Sequence, residues 1–280
     1  MTLISDADRY VILARYQGYK NDFKGALATL DKGLERFPDY GPLYRHRAHR
    51  LITFREFDRS IADSEKSIEL CGDWPDEIEY YQKELLEDAE HLFLGQPEKM
   101  RPQRPKVTPE ITEELKGIYK STLHSSIWYH YGLAFYMKGD YARSVQEYKT
   151  ALEKGIDDDM RVAASDWIYM GLRRSGDEEG AAEFLDSLPD DLQVNEQSYW
   201  RRILMYKGQL NPDDLLAAAS EDPKSLVTQG YGLGNWYFYN GFTDKAVDVF
   251  ERIVAAGVTN AFGHIAAEID LAAIKGGKNA

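Results

Sequence analysis

A single cysteine, Cys71, is the scarcest feature of this 280-residue chain, and one cysteine excludes an internal disulfide framework. It stands in E-L-C-G-D, where a helix stops, a setting for a small apolar residue rather than a reactive thiol. Basic charge is also short: 34 Lys and Arg face 47 Asp and Glu, for a net charge of −13. That balance argues against a nucleic-acid binder, which presents a basic surface, and fits a solvated exterior. No apolar run is long enough to span a bilayer. The opening M-T-L-I-S-D-A-D-R-Y lacks the basic-then-apolar pattern of a secretory signal, so the expected location is cytoplasmic, with no membrane contact. A Gly-rich phosphate loop, a G-x-S-x-G elbow and a cysteine beside a histidine are all missing. His46 and His49, three apart, gain no third ligand in zinc-type spacing. The expectation is therefore a chain that is not an enzyme, with no catalytic residue, no cofactor and no metal.

What is abundant is aromatic. Nineteen tyrosines help bring the aromatic share to 12%, and tyrosine suits helix seams because it is large yet carries a polar end. The apolar residues fall at helical spacing and repeat. Tyr10, Leu13, Ala14 and Gln17 mark one helix face, and Tyr44, Arg47, Ala48 and Leu51 repeat it 34 residues later. Asn21-Asp22-Phe23 breaks the first run, with Asp22 suited to cap a second helix that carries Ala26, Leu30 and Gly33 inward. Phe57, Ser60, Ser64 and Ser67 follow Phe23 and those three positions by the same 34. Pro42 falls at a first helical position, where its missing N–H costs nothing.

The clearest copy runs from Trp128 to Leu152, two short helices joined at Lys138-Gly139-Asp140. Trp128-x2-Tyr131-Gly132-x2-Phe135, then Gly139-Asp140-Tyr141, Ser144, Tyr148 and Ala151, resemble the helix–turn–helix signature of the tetratricopeptide repeat (TPR), whose period is also 34. Looser copies follow at Gly176-Asp177-Ala181-Leu185, at Arg201 to Leu216 with its start at Asn211-Pro212, and at Gly234-Tyr237-Gly241-Ala246-Phe250. The resemblance covers most of residues 8–255. It implies an all-α fold, a right-handed α-α superhelix (TPR solenoid) of about seven helix pairs plus a C-terminal capping helix.

On that basis residues 1–280 form a single solenoid. Residues 8–74 hold two regular repeats, 75–122 an atypical helix pair, 123–258 further repeats and 259–275 the capping helix. Pro75 to Leu94 is expected to be one helix of about five turns. The proline- and arginine-rich stretch 96–108 then forms an extended loop, serving as connector or partner-binding strap, before a helix from Thr108-Pro109 to about Tyr119.

The resemblance also implies that first helices line a concave groove. Placed on this chain, the lining comprises Arg15, Arg45, His46, His49, Tyr129, His130, Asp166, Trp167, Arg202, Tyr231 and Asn235. Neighbouring positions add Tyr19, Tyr136, Arg173, Tyr199, Tyr206 and Tyr239. Four Arg and three His against one Asp make a basic aromatic groove inside an acidic shell, a field suited to anionic groups. The bland alternative is that these side chains satisfy one another, Asp166 pairing with His130 or an Arg. The favoured function is a non-catalytic scaffold that binds an anionic protein or peptide segment in the groove. On that view, replacing Arg45 and Arg202 with Ala abolishes capture and leaves the thermal midpoint nearly unchanged. The alternative is a small-molecule-binding or hydrolase-like pocket built from the same Arg/His/Asp/Tyr lining. A third reading puts a homo-oligomer contact on the outer tyrosines or the 96–107 loop. Arg15, His49 and Leu133 stand where chaperone-binding TPR proteins carry their carboxylate clamp, so a chaperone tail is not the favoured ligand.

Overall fold

The computed structural model describes residues 5–79, 82–100, 105–114, 121–220 and 222–277. Among them the chain is all-α: fifteen α-helices, one 3₁₀ turn and two isolated β-bridges. Residues 1–134 with 153–157 form one compact unit, and residues 135–152 with 158–280 a second.

In the first unit, α1 (Asp6–Tyr19) and α2 (Phe23–Arg36) form one hairpin, α3 (Gly41–Thr53) and α4 (Phe57–Cys71) the next. Val11, Ala14, Ala26, Leu30, Leu34 and Leu43 bury together, so the inward face read from the period is the core face. Gly33 is needed there because a Cβ would lie 2.9 Å from Leu43 Cδ2. In the second hairpin Ser60, Ser64 and Ser67 take the equivalent positions. Fully buried hydroxyls need acceptors, and each finds a backbone carbonyl: Ala48, Ser60 and Gly41, at 2.9–3.0 Å.

The turns explain why the repeats keep register. Each hairpin turn places one residue in the left-handed region: Asn21, Arg55, Gly139, Gly176, Gly208 and Gly241, with φ from 61° to 83°. The next residue's N–H returns to a carbonyl five residues back in all six, closing the helix C-terminus. Asp22 and Asp177 then cap the following helices, their Oδ1 atoms accepting from the N–H of Gly25 and Gly180 at 2.9 Å. Arg55 is the exception, a long side chain held at φ 62° where glycine is the easy residue. Arg55→Gly is expected to raise stability by about 1 kcal/mol, read as a higher urea midpoint; an unchanged or lower midpoint would show that Arg55's own contacts outweigh the strain.

The third position departs from the sequence expectation. The helix is α5 (Gln82–Phe93), not Pro75–Leu94, and residues 76–79 are extended. Their backbone pairs on both sides: Ile78 N–H donates to Pro105 and Val107 N–H to Asp76, while Glu79 N–H donates to Ser121 and Leu123 N–H to Glu77, at 2.8–2.9 Å. Hydrogen-bond partners distant in sequence outweigh a local helical pattern, and Asp76 Oδ1 anchors the start by accepting from the N–H groups of Glu77 and His124. Leu85 and Ala89 of α5 pack on Ile12 of α1. The 96–108 stretch opens with the 3₁₀ turn Pro97–Lys99 and ends in the residues that bridge to this strand; its centre lies outside the described residues. α6 is described over Pro109–Glu114, and the expected continuation to Tyr119 also lies outside them. α7 (Leu123–Met137) follows.

The second unit takes up the end of α7 and continues through α8 (Tyr141–Lys154), α9 (Asp158–Arg174), α10 (Glu178–Asp186), α11 (Gln197–Tyr206), α12 (Pro212–Ala219), α13 (Pro223–Tyr239), α14 (Thr243–Ala255) and α15 (Phe262–Lys275). α13 is its centre, touching α9, α11, α12, α14 and α15. The glycines of its Y-G-L-G-N run make that crowding feasible: a Cβ on Gly232 would sit 2.0 Å from Arg202 Nε, and one on Gly234 2.5 Å from Phe250. Trp167, Tyr148, Tyr231 and Phe250 fill the interior. Fifteen helices thus follow one another in the described residues, and in the second unit α15 packs on α13 and α14. No described helix is long and apolar enough to cross a membrane.

Candidate functional site

The run Y-R-H-R-A-H-R of α3 divides by helix geometry. Arg47 faces the outer seam, its guanidinium fork on both oxygens of Asp63 at 2.7 and 2.8 Å and on Asp31 at 2.9 Å. Arg45 and His49, four apart, and His46 and Arg50, also four apart, form the opposite face. There Arg45 Nη2 donates to Glu79 Oε2 at 2.8 Å, and the hydroxyls of Ser126 and Ser121 donate to the same oxygen at 3.1 and 3.3 Å. Arg45, His46 and Glu79 are all buried.

Three histidines surround this pair, and two of them face arginine donors. Arg45 Nη1 lies 3.2 Å from His46 Nδ1, and Arg50 Nη2 lies 2.8 Å from His49 Nε2. A guanidinium can only donate, so both ring nitrogens must be acceptors, and each ring carries its proton on the other nitrogen. His130 instead donates from Nδ1 to the Ser126 carbonyl at 2.7 Å, and its ring lies 4.4 Å from that of His49. Burial, then the Arg50 charge, holds His49 well below the usual imidazole pKa; burial and Arg45 do the same to His130. Arg50 is itself pushed down to about 10, by burial and by the Arg45 charge, with Arg15 adding to the effect. Tyr129 lies edge-on to His130. This unit thus gathers Arg45, His46, His49, Tyr129 and His130, with Arg15 within electrostatic reach. Glu79 was invisible in the sequence because its segment reads as helix.

The remaining candidates belong to the second unit and lie in its interior. Arg202, 1% exposed, is ion-paired with Asp166, Nη2 to Oδ2 2.5 Å, and donates to the Thr228 carbonyl at 2.9 Å, while Tyr206 donates to Asp166 Oδ1 at 3.0 Å. Asp166 therefore meets an Arg and a Tyr, the Arg being one of the two partners that the sequence allowed for it. Burial lifts its carboxyl to about 6, with Arg202 and Tyr206 opposing the rise. Trp167 packs between Tyr148, Tyr136 and Tyr231. Asn235 Nδ2 donates to the Tyr136 hydroxyl at 2.8 Å.

That last contact opens a second network. Arg174 Nη2 donates to Asp270 Oδ1 at 2.9 Å and to the Tyr141 hydroxyl at 2.6 Å, and its Nη1 donates to Asn235 Oδ1 at 3.0 Å. Tyr231 donates to Asp270 Oδ2 at 3.0 Å, which leaves Tyr136, also 3.0 Å away, to donate to Tyr231. The order Asn235 to Tyr136 to Tyr231 to Asp270 uses each proton once. Beside this network lies a cavity of about 470 Å³, lined by Tyr136–Gly139, Tyr141, Arg174, Tyr231, Ala266, Ile269, Asp270 and Ala273. Of the eleven candidate positions only Tyr231 lines it. A signal for Asp270 was present: it falls four residues after Ala266 and three before Ala273, an acid on the apolar face of α15. Among the described residues no cluster of His, Cys, Asp and Glu could hold a metal ion.

No family model matches the chain, and no curated protein sequence does. Among solved structures it is similar to the Naa15/Naa10 complex bound to HypK-THB, at 10% identity over 91% of this chain and 40% of that one, with a TM-score of 0.33. It is also similar to the APC/C hetero-tetramer Cut9–Hcn1, at 12% identity over 92% of this chain and 41% of that one, TM-score 0.32. The P58(IPK) TPR domain matches at 15% identity over 98% of this chain and 67% of that one, TM-score 0.24. The chain spans about two fifths of the length of the first two. At these scores the description of the fold rests on the chain's own helix order and 34-residue register.

Proposed function

We propose that this chain is a non-catalytic helical-repeat scaffold that binds an anionic protein or peptide segment, and that the first unit carries the contact. The observation behind it is the charge around α3. Arg50 is held by His49 and by the ring of Phe23, and no carboxylate among the described residues pairs with it. The Arg45 and Arg15 charges add to the cost of its own, and the Glu79 carboxylate lies on Arg45. An anion beside Arg50 would offset positive charge that burial makes costly. Arg15, His49 and Arg50 are each partly exposed, so a segment can reach them, while Arg202 in the second unit serves stability. The acidic exterior, net −13, would turn such a segment towards this edge. The non-catalytic part is supported by the use made of the reactive groups: Asp166 and Glu79 neutralise arginines, and His46 and His49 accept from them.

Fluorescence anisotropy with a labelled Glu-rich decapeptide, and a Lys-rich one as control, tests the reading. The acidic peptide is expected to bind, to weaken as salt rises, and to lose about tenfold in affinity on Arg50→Gln. Equal binding of the two peptides, or indifference to Arg50→Gln, would remove the first unit as the anion site.

A further inference from the structure

The Arg50 contact has a neighbour of different chemistry in the first unit. Of the four large hydrophobic side chains exposed among the described residues, three stand at the C-terminal ends of α1 and α5: Tyr19 at 41%, Phe93 at 58% and Leu94 at 60%. Single exposed hydrophobic residues are ordinary, but a cluster of them marks a contact surface. Helix α1 sets their order. At about 100° per residue, Gly18, Arg15, Tyr19 and Tyr16 follow one another around it. Gly18 lies against Arg50, where a Cβ would stand 3.5 Å from Nη1. Arg15 and Tyr19 are both within electrostatic reach of Arg50. At the other end the Tyr16 ring is edge-on to Phe93, with centroids 5.0 Å apart. The surface therefore grades from Arg50 through Arg15 and Tyr19 to Tyr16, Phe93 and Leu94. That arc of about 160°, on a helix of about 10–12 Å diameter, measures roughly 15 Å.

Resting on the reading of Arg50 as an anion contact, we propose that this surface binds a short segment of a partner protein whose carboxylates stand about four residues of extended chain from one or two bulky apolar side chains. The spacing follows from the arc. The polarity follows from Glu90, exposed one turn before Leu94, which repels acids from the apolar end and leaves them to Arg50. Charge also selects this occupant over a second copy of the chain. Two copies meeting isologously through the patch would bring Arg15 and Arg50 towards their own counterparts. The acidic–apolar segment instead neutralises the basic end and covers the apolar one, so that each end of the surface meets matching chemistry.

Fluorescence anisotropy on the full chain tests this with the Glu-rich decapeptide extended by Phe-Leu beyond a Gly-Ser-Gly spacer, at either terminus to allow both chain directions. Controls carry Ser-Ser in place of Phe-Leu. One of the Phe-Leu peptides is expected to bind about tenfold tighter than its control. Phe93→Ser with Leu94→Ser should remove that gain and leave the plain decapeptide unchanged, which also shows that the variant folds. Tyr19→Ser, midway along the arc, should cut the gain about threefold. No gain from Phe-Leu in either direction, or a gain that survives all these variants, overturns the partner assignment. A wild-type chain that dimerises in sedimentation, with a Phe93→Ser, Leu94→Ser chain that does not, gives the surface to a second copy and overturns it too. The two contacts fail separately. A Phe-Leu gain with no effect of Arg50→Gln removes the anion site and the acidic half of the partner with it. An Arg50→Gln effect with no Phe-Leu gain removes this surface alone.

Discussion

Arg202→Ala is expected to destabilise the second unit by roughly 3–5 kcal/mol, as measured by urea denaturation followed by circular dichroism. The substitution leaves the Asp166 carboxyl, 0% exposed, without its cation. Tyr206 alone cannot replace a guanidinium, so Asp166 must either stay charged in the interior or take up a proton to fold. The cavity left beside Gly232, whose hydrogen faces Arg202 Nε, adds to the loss. This reverses the sequence-level expectation that removing Arg202 leaves the thermal midpoint nearly unchanged, because that expectation placed the side chain in a solvent-facing groove. Arg202→Met with Asp166→Leu removes both charges and is expected to recover much of the loss, since a buried pair is costly to break but cheap to replace with matched apolar groups. A single variant that loses less than about 1 kcal/mol would mean that the pair is not formed in the folded protein.

Acidification below pH 6.5 is expected to weaken the first unit through His49 and His130. Both have folded pKa values held well below the ordinary imidazole value, chiefly by burial. The unfolded chain therefore takes up protons that the folded chain refuses. Stability is retained above the unfolded value of about 6.5 and is lost as pH falls from there towards the folded values. Two such groups cost up to roughly 2–3 kcal/mol between pH 7 and 5.5. The neighbours sharpen the effect: a proton on His49 Nε2 would abut the Arg50 guanidinium that now donates to it. Denaturation curves across that window should show the loss, and a His49→Gln, His130→Gln protein should show a much flatter dependence. An equal slope in wild type and variant would place the acid sensitivity elsewhere.

How much was legible in the sequence differs between the repeats and the sites. Asp22 as a cap and Ala26, Leu30 and Gly33 as inward positions need only spacing within one hairpin, and the structure places them so. The segment 75–94 was misread because its helical pattern is local, whereas the pairs that extend residues 76–79 come from 105–107 and 121–123. Glu79 followed that error, and with it a carboxylate that neutralises Arg45. Asp166 and Arg202 were both singled out, yet that they meet could not be read from positions 36 residues apart on different helices. Arg174 was passed over because Leu-Arg-Arg-Ser-Gly reads as an ordinary basic helix end.

By itself, then, the sequence determined the period, the helix order and the turn chemistry of this protein, because those depend on residues three to five apart and on which backbone angles each turn admits. Tertiary structure decided which polar side chains face solvent, which neutralise one another, and where space remains. A charged group's role depends on partners brought from tens of residues away: Asp270 reaches Arg174 across 96 positions, and Asn235 reaches Tyr136 across 99. The cavity exists only because α7, α8, α9, α13 and α15 stop short of filling the volume between them.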